Sequence, residues 1–408
     1  MIFYKFIKIM NVHIQSKNKI NNTGNIGFYL IICYLLIDLA RIQTLIPIGA
    51  IRPGLIITIL LSIFVLSKNN FCFSFPEIKI IWFFLFLLIC YVPFARNNSY
   101  AYRTATSFAV FVPFIITIVI TTDSLNKLIK LINVILCTAI YQSIASFTHA
   151  GKGSGGWFND ENDLSLFINV NLPMFYFLLI GKKNNNKQKL FYITGLVLGL
   201  LAVVNSFSRG GFIGLLAITI FIFWMSSKQK LISSLIIIMF GLLLYYFGSD
   251  AYWQEMGTVT DTQDGTAQAR INSWISAWRM FLDKPWGVGG NNFQVWFPEY
   301  QTEWFKRGMW GRVAHSLWFT LLPELGILGT LLYFNLMWKN YKSLRDIIKD
   351  QNKYADQEIF VCIAKGLLVG LVGFFASGTF LSVLYYPYFW YITAIIVAMK
   401  NIEINKIA

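Results

Sequence analysis

The sequence predicts an all-α polytopic membrane protein: about twelve transmembrane helices and one large periplasmic loop that carries an amphipathic helix. Composition is the first reason. Of 408 residues, 56% are hydrophobic and only 13% are charged, roughly half the charge of a soluble domain. Patterning is the second reason, because apolar runs close to the ~20 residues that cross a bilayer recur along the chain. The runs lack the alternation of barrel strands, and lipid leaves unpaired backbone no other spanning form than a helix.

Taken in order, the expected spans lie near 26–40, 52–67, 79–95, 104–121, 128–147, 163–180, 189–206, 210–226, 230–247, 315–337, 358–378 and 383–399. The first 22 residues are basic, and their apolar pieces are too short for a signal-peptide core, so the first span serves as an uncleaved insertion signal. Five cysteines (Cys33, Cys72, Cys90, Cys137, Cys362) form no CxxC pair and read as small core residues. Three regions follow: an N-terminal bundle at 1–147, a central part at 148–340 with an outer loop at 248–314, and a C-terminal part at 341–408.

Net charge is +15, but its distribution argues against a nucleic-acid partner. Most lysines, including the clusters GKKNNNKQK and WKNYKSLRDIIKDQNK, fall on one set of connections. The positive-inside rule makes that side cytoplasmic, together with both termini. Arginine does the opposite: only Arg345 lies inside, and Arg41, Arg52, Arg96, Arg103, Arg209, Arg270, Arg279, Arg307 and Arg312 lie outside. A guanidinium grips phosphate in two places at once, which an ammonium cannot do. Outward arginines at membrane depth therefore suggest a phosphorylated ligand, although Asp38 and Arg41 are spaced to pair with each other on the first helix.

Two outer segments stand out. THAGKGSGGWFNDENDLS (148–165) is glycine-rich and then acidic; Asn162 and Asp163 are placed to cap the next helix, and NDEND could instead hold a divalent ion. The loop 248–314 contains AQARINSWISAWRMFLDKP, which sets Ile271, Trp274, Ile275, Trp278, Phe281 and Leu282 on one helical face and Asn272, Ser273, Ser276 and Arg279 on the other. That pattern predicts a helix on the bilayer surface. GVGGNNF follows it as a turn, since no strand precedes the glycines. His315 opens the tenth span beside Arg312, as an interfacial anchor or a base working near neutral pH. Glu324, nine residues on, points away from it and suggests packing or gating.

The order SRGG, Arg270 ahead of an aromatic helix ending in PWGVGGNNF, then AHSLWFTLLPELGILG resembles the bacterial O-antigen ligase and polymerase superfamily, and GGWFNDENDLSLF is similar to the segment that family carries before its middle spans. The resemblance covers about 150–340. It implies a multispan inner-membrane glycosyltransferase, active at the periplasmic face without cofactor or metal. The donor would be an undecaprenyl-diphosphate glycan. The acceptor would be lipid A-core for a ligase or a second lipid-linked repeat unit for a polymerase, and the order of the motifs leans to ligase. Matched residue by residue, Arg209 and Arg270 would bind the diphosphate and His315 would be catalytic, with Arg312 and Arg103 as secondary candidates. The glycines after Arg209 would let a phosphate approach the helix N-terminus. The rival from another class is a twelve-span secondary transporter. No internal repeat supports it, and the long loop falls between spans nine and ten instead of between two halves.

Overall fold

The computed structural model describes residues 25–44, 49–181, 184–226, 265–302, 311–350 and 358–407, with isolated positions between 234 and 257. The expected span 230–247 and the first part of the outer loop lie largely outside the described residues. Every other expected span falls on a helix, and no strand occurs among the described residues.

The helices are α1 (Asn25–Asp38), α2 (Pro53–Lys68), α3 (Pro76–Tyr91), α4 (Asn98–Thr121), α5 (Leu125–Thr148), α6 (Glu161–Leu179), α7 (Asn186–Asn205), α8 (Arg209–Met225), α9 (Gly265–Asp283), α10 (Phe293–Tyr300), α11 (Leu317–Lys349), α12 (Glu358–Gly378) and α13 (Pro387–Ile407). By length and composition, α4, α5, α7, α11 and α12 suffice to cross a membrane, and α1, α2 and α8 are shorter apolar helices. Starts are marked by caps: Asn97, Ser124, Asp160, Asn185, Ser208 and Ser316 each accept a backbone N–H of the first turn. At α6 the cap is Asp160, not Asn162 or Asp163. Its extended backbone lets Oδ1 accept from the N–H groups of both those residues. Helix α11 runs well past the expected end at 337, because Leu336, Asn340, Leu344 and Ile347 continue its buried stripe.

The bundle is assembled around α6 and α13, both almost wholly buried, and α6 packs most extensively on α12. Small residues allow this. A Cβ on Gly370 would stand 2.5 Å from the Val170 carbonyl oxygen, and one on Gly373 would stand 2.8 Å from that of Asn169. Close backbone approach of this kind is how helices associate where lipid removes the hydrophobic drive. Trp390 of α13 fills the centre, its ring centroid 4.8 Å from that of Phe84 and 4.7 Å from that of Phe108.

Two elements depart from a plain bundle. Helix α11 breaks at Gly326 (φ 59°, ψ −160°), three residues after Pro323. The segment 285–289 is seated in the break: Val288 and Gly289 donate their N–H groups to the carbonyls of Pro323 and Glu324, and Ile327 donates to Pro285. Irregular backbone within a bundle is tolerated where protein covers it in this way. The glycine-rich turn expected at 287–293 is thus a seated plug, held on its other side by α4, where Asn291 Nδ2 donates to Thr104 Oγ1 at 2.9 Å.

Helix α9 buries the face opposite to that of a soluble helix. Ala269, Asn272, Ser273, Ser276, Ala277 and Met280 point inward, while Trp278 and Leu282 are exposed. The serine hydroxyls donate to carbonyls of α9 itself and Asn272 Oδ1 accepts from Thr302, while the outer face is left to Trp278 and Leu282.

Candidate functional site

Arg209 is the first residue of α8, held by a three-residue turn after α7. Ser208 fixes that turn by accepting the Gly211 N–H at 2.9 Å and donating to Asn162 Oδ1 at 2.7 Å. The middle residue of the turn, Phe207, is in left-handed backbone (φ 51°), which is uncommon for a bulky residue. Gly210 and Gly211 do not leave an open approach to the helix end. Both are buried, and a Cβ on Gly211 would meet Ser165 Oγ at 2.4 Å. The glycines after Arg209 make helix contacts, contrary to the expectation of a phosphate approach.

From α8 the site continues through the connection between α12 and α13. Gly210 lies against Phe380, whose ring centroid is 6.1 Å from that of Trp274 on α9. Trp274 stacks on Phe319 of α11 and donates its indole N–H to the Ala314 carbonyl at 3.1 Å. One residue on, His315 donates its backbone N–H to Ser382 Oγ at 2.9 Å. His315 is itself in left-handed backbone (φ 49°), a conformation that persists where its surroundings enforce it.

Electrostatics brings the charged groups together. His315, half-buried ahead of α11, is lowered from its ordinary 6.5 to about 4, first by burial and then by the cations of Arg312 and Arg270; Asp160 opposes them. Arg312 is itself lowered by burial and by Arg270, and its Nε donates to Ser273 Oγ of α9 at 2.9 Å. His315, Arg312, Arg270 and Asp160 therefore form one interacting group. Arg209 stands on the turn bonded to Asn162, two residues from Asp160. Arg103 is exposed on α4, one residue before Thr104, which holds the seated plug.

Glu324 is not a partner of His315, in keeping with its position on the opposite side. Its carboxylate accepts the N–H groups of Asn291 (2.8 Å) and Phe293 (3.3 Å) and the hydroxyl of Tyr385 (2.7 Å), so it locks the plug. Asp38 and Arg41 do pair, at 3.9 Å, and Tyr391 also donates to Asp38 at 2.9 Å. Arg96 is engaged with Glu299 and lies over Trp296, which Lys284 covers as well. Among the described residues, no three His, Cys, Asp or Glu side chains gather in a set able to hold a metal ion.

Sequence reasoning missed the contribution of residues 379–386. Their signal is the string TFLSVLYYP, in which Ser382 holds His315, Tyr385 holds Glu324, and Tyr386 donates to Asp163 Oδ2 at 2.9 Å. From sequence alone 379–382 reads as a short gap between two spans and 383–386 as the start of the next.

No curated protein matches the chain significantly. Residues 194–334, which include Arg209, Arg270, Arg312 and His315, match the family model described as O-antigen ligase. That stretch, 141 of the 408 residues and carried by a helical bundle with membrane-type helices, is similar to O-antigen ligases.

Proposed function

We propose that the protein moves a glycan from undecaprenyl diphosphate to an acceptor hydroxyl at the periplasmic face of the inner membrane, with lipid A-core as the acceptor. The observation that carries this reading is the grouping of two arginines and a neutral imidazole at the start of α11, inside the family-matched stretch. The twelve-span arrangement with both termini cytoplasmic, divided at about 147 and 340, belongs to the same reading.

Arg270 and Arg312 hold the diphosphate, and Arg209 closes on it from the α8 turn. The acceptor oxygen bonds to the anomeric carbon as the bond from that carbon to the diphosphate oxygen breaks. The bonding pair leaves with the prenyl diphosphate, and inversion follows from attack on the opposite face. The arginines stabilise the charge that grows on the leaving group. The unprotonated imidazole of His315 orients the acceptor hydroxyl, or takes its proton once the bound diphosphate offsets the two cations that lower its basicity.

The test is transfer by purified protein in lipid, using a labelled undecaprenyl-diphosphate oligosaccharide and lipid A-core. His315→Ala and Arg209→Ala should each abolish product, and near-wild-type turnover in either removes that residue's role. In cells, loss of glycan from lipid A-core on deletion supports the ligase, whereas accumulation of single repeat units assigns a polymerase. Activity that vanishes with a chelator would overturn the metal-independent mechanism.

A further inference from the structure

Beside the charged group lies an open cleft that the mechanism does not use, lined by Arg41, Trp157, Asn159, Asp160, Asp163 and Tyr386. All six residues fall outside the stretch that matches the family model. We propose that this cleft is the acceptor subsite and takes a neutral, polyhydroxylated sugar ring; the inference rests on the glycosyltransferase reading above.

The lining has the composition a sugar demands. The rings of Trp157 and Tyr386 lie with centroids 4.4 Å apart and offer apolar faces to ring C–H groups. Exposed Asn159, Asp160 and the guanidinium of Arg41 supply acceptors and donors for hydroxyls. Arg41 Nε is buried without a hydrogen-bond partner in the protein, although the group is paired through its other end with Asp38 at 3.9 Å. The local backbone is built around that arginine: a Cβ on Gly156 would stand 2.3 Å from Arg41 Cζ.

Charge decides the ligand class. One guanidinium, already paired, faces the carboxylates of Asp160 and Asp163, so the cleft has no excess positive charge and disfavours a phosphate. The excess positive charge is at Arg270 and Arg312. Asp160 belongs to both places: it lines the cleft and acts electrostatically on His315. Its Oδ1 takes the three bonds of the α6 cap, and Oδ2 takes none of them. A sugar in the cleft can therefore give one hydroxyl to Asp160 Oδ2 and turn its neighbour toward His315.

The experiment measures KM for donor and acceptor separately, with purified full-length protein in lipid nanodiscs. The donor is a fluorescent undecaprenyl-diphosphate tetrasaccharide; the acceptors are lipid A-core and, in a parallel arm, unlabelled donor. Trp157→Ala and Asn159→Ala should each raise acceptor KM by about tenfold, with donor KM within about twofold of wild type. Asn159 is exposed, so its variant guards against a folding defect at Trp157. Unchanged acceptor KM in both variants, with His315→Ala still inactive, overturns the subsite and leaves the enzyme reading standing. A rise in donor KM instead also overturns it. Absence of transfer by the wild type to either acceptor overturns the enzyme reading and the subsite with it.

Discussion

His315 combines three features that rarely coincide: left-handed backbone, half-burial and two cationic neighbours. The group is neutral from high pH down to about 4, whereas a free histidine would be half protonated near 6.5. Transfer should therefore stay flat as pH falls from 8 to about 5 and drop below that. A pH–rate profile with its acidic midpoint near 6.5 would contradict this environment. Arg270→Gln removes one of the two cations, so it should shift the acidic limb upward as well as cut turnover by about a hundredfold. At this scale order and spacing single out Arg209, Arg270 and His315, and all three fall within the stretch similar to O-antigen ligases. Trp157, Ser382 and Tyr386 were not legible, because their roles depend on contacts between segments more than 60 residues apart. The cap of α6 was misread by two or three positions, since Asn162 and Asp163 are the residues capped.

At the scale of elements, helices were readable from hydropathy, while the orientation of α9 and the break in α11 were not. Periodicity gives α9 two faces without saying which one meets protein. The structure turns the serines inward, where both donate to carbonyls of α9 itself and Ser273 also accepts from Arg312. The break depends on a single residue. A side chain at Gly326 would stand 2.4 Å from the Pro285 oxygen, in backbone essentially confined to glycine. Gly326→Ala should therefore lower the thermal midpoint in detergent and expose the plug to proteolysis near 285–292; an unchanged midpoint would show that the break is not enforced there. Glu324→Gln replaces one accepting oxygen with a donor facing donors, and should destabilise by about 1–3 kcal/mol. Thermal unfolding compared with Tyr385→Phe, which removes only one of those bonds, checks the value.

For the whole molecule, lysine placement predicts which side each connection faces. In a background with Cys33, Cys72, Cys90, Cys137 and Cys362 replaced, Lys284→Cys should react with an impermeant maleimide added outside, and Lys342→Cys should react only after lysis. The reverse pattern would overturn the topology and move the candidate site to the cytoplasm. The 379–386 connection joins the segment before α11, through Ser382 and His315, to α6, through Tyr386 and Asp163, so the proposed donor and acceptor sites adjoin. The plug in α11 has a further consequence for assembly. The carbonyls of Pro323 and Glu324 find their donors on Val288 and Gly289, upstream of that helix, so threading α11 through the bilayer leaves hydrocarbon facing two unsewn carbonyls. Biogenesis is finished only when the preceding segment folds back and stitches the gap. Insertion of α11 and folding of the segment before it are therefore coupled steps.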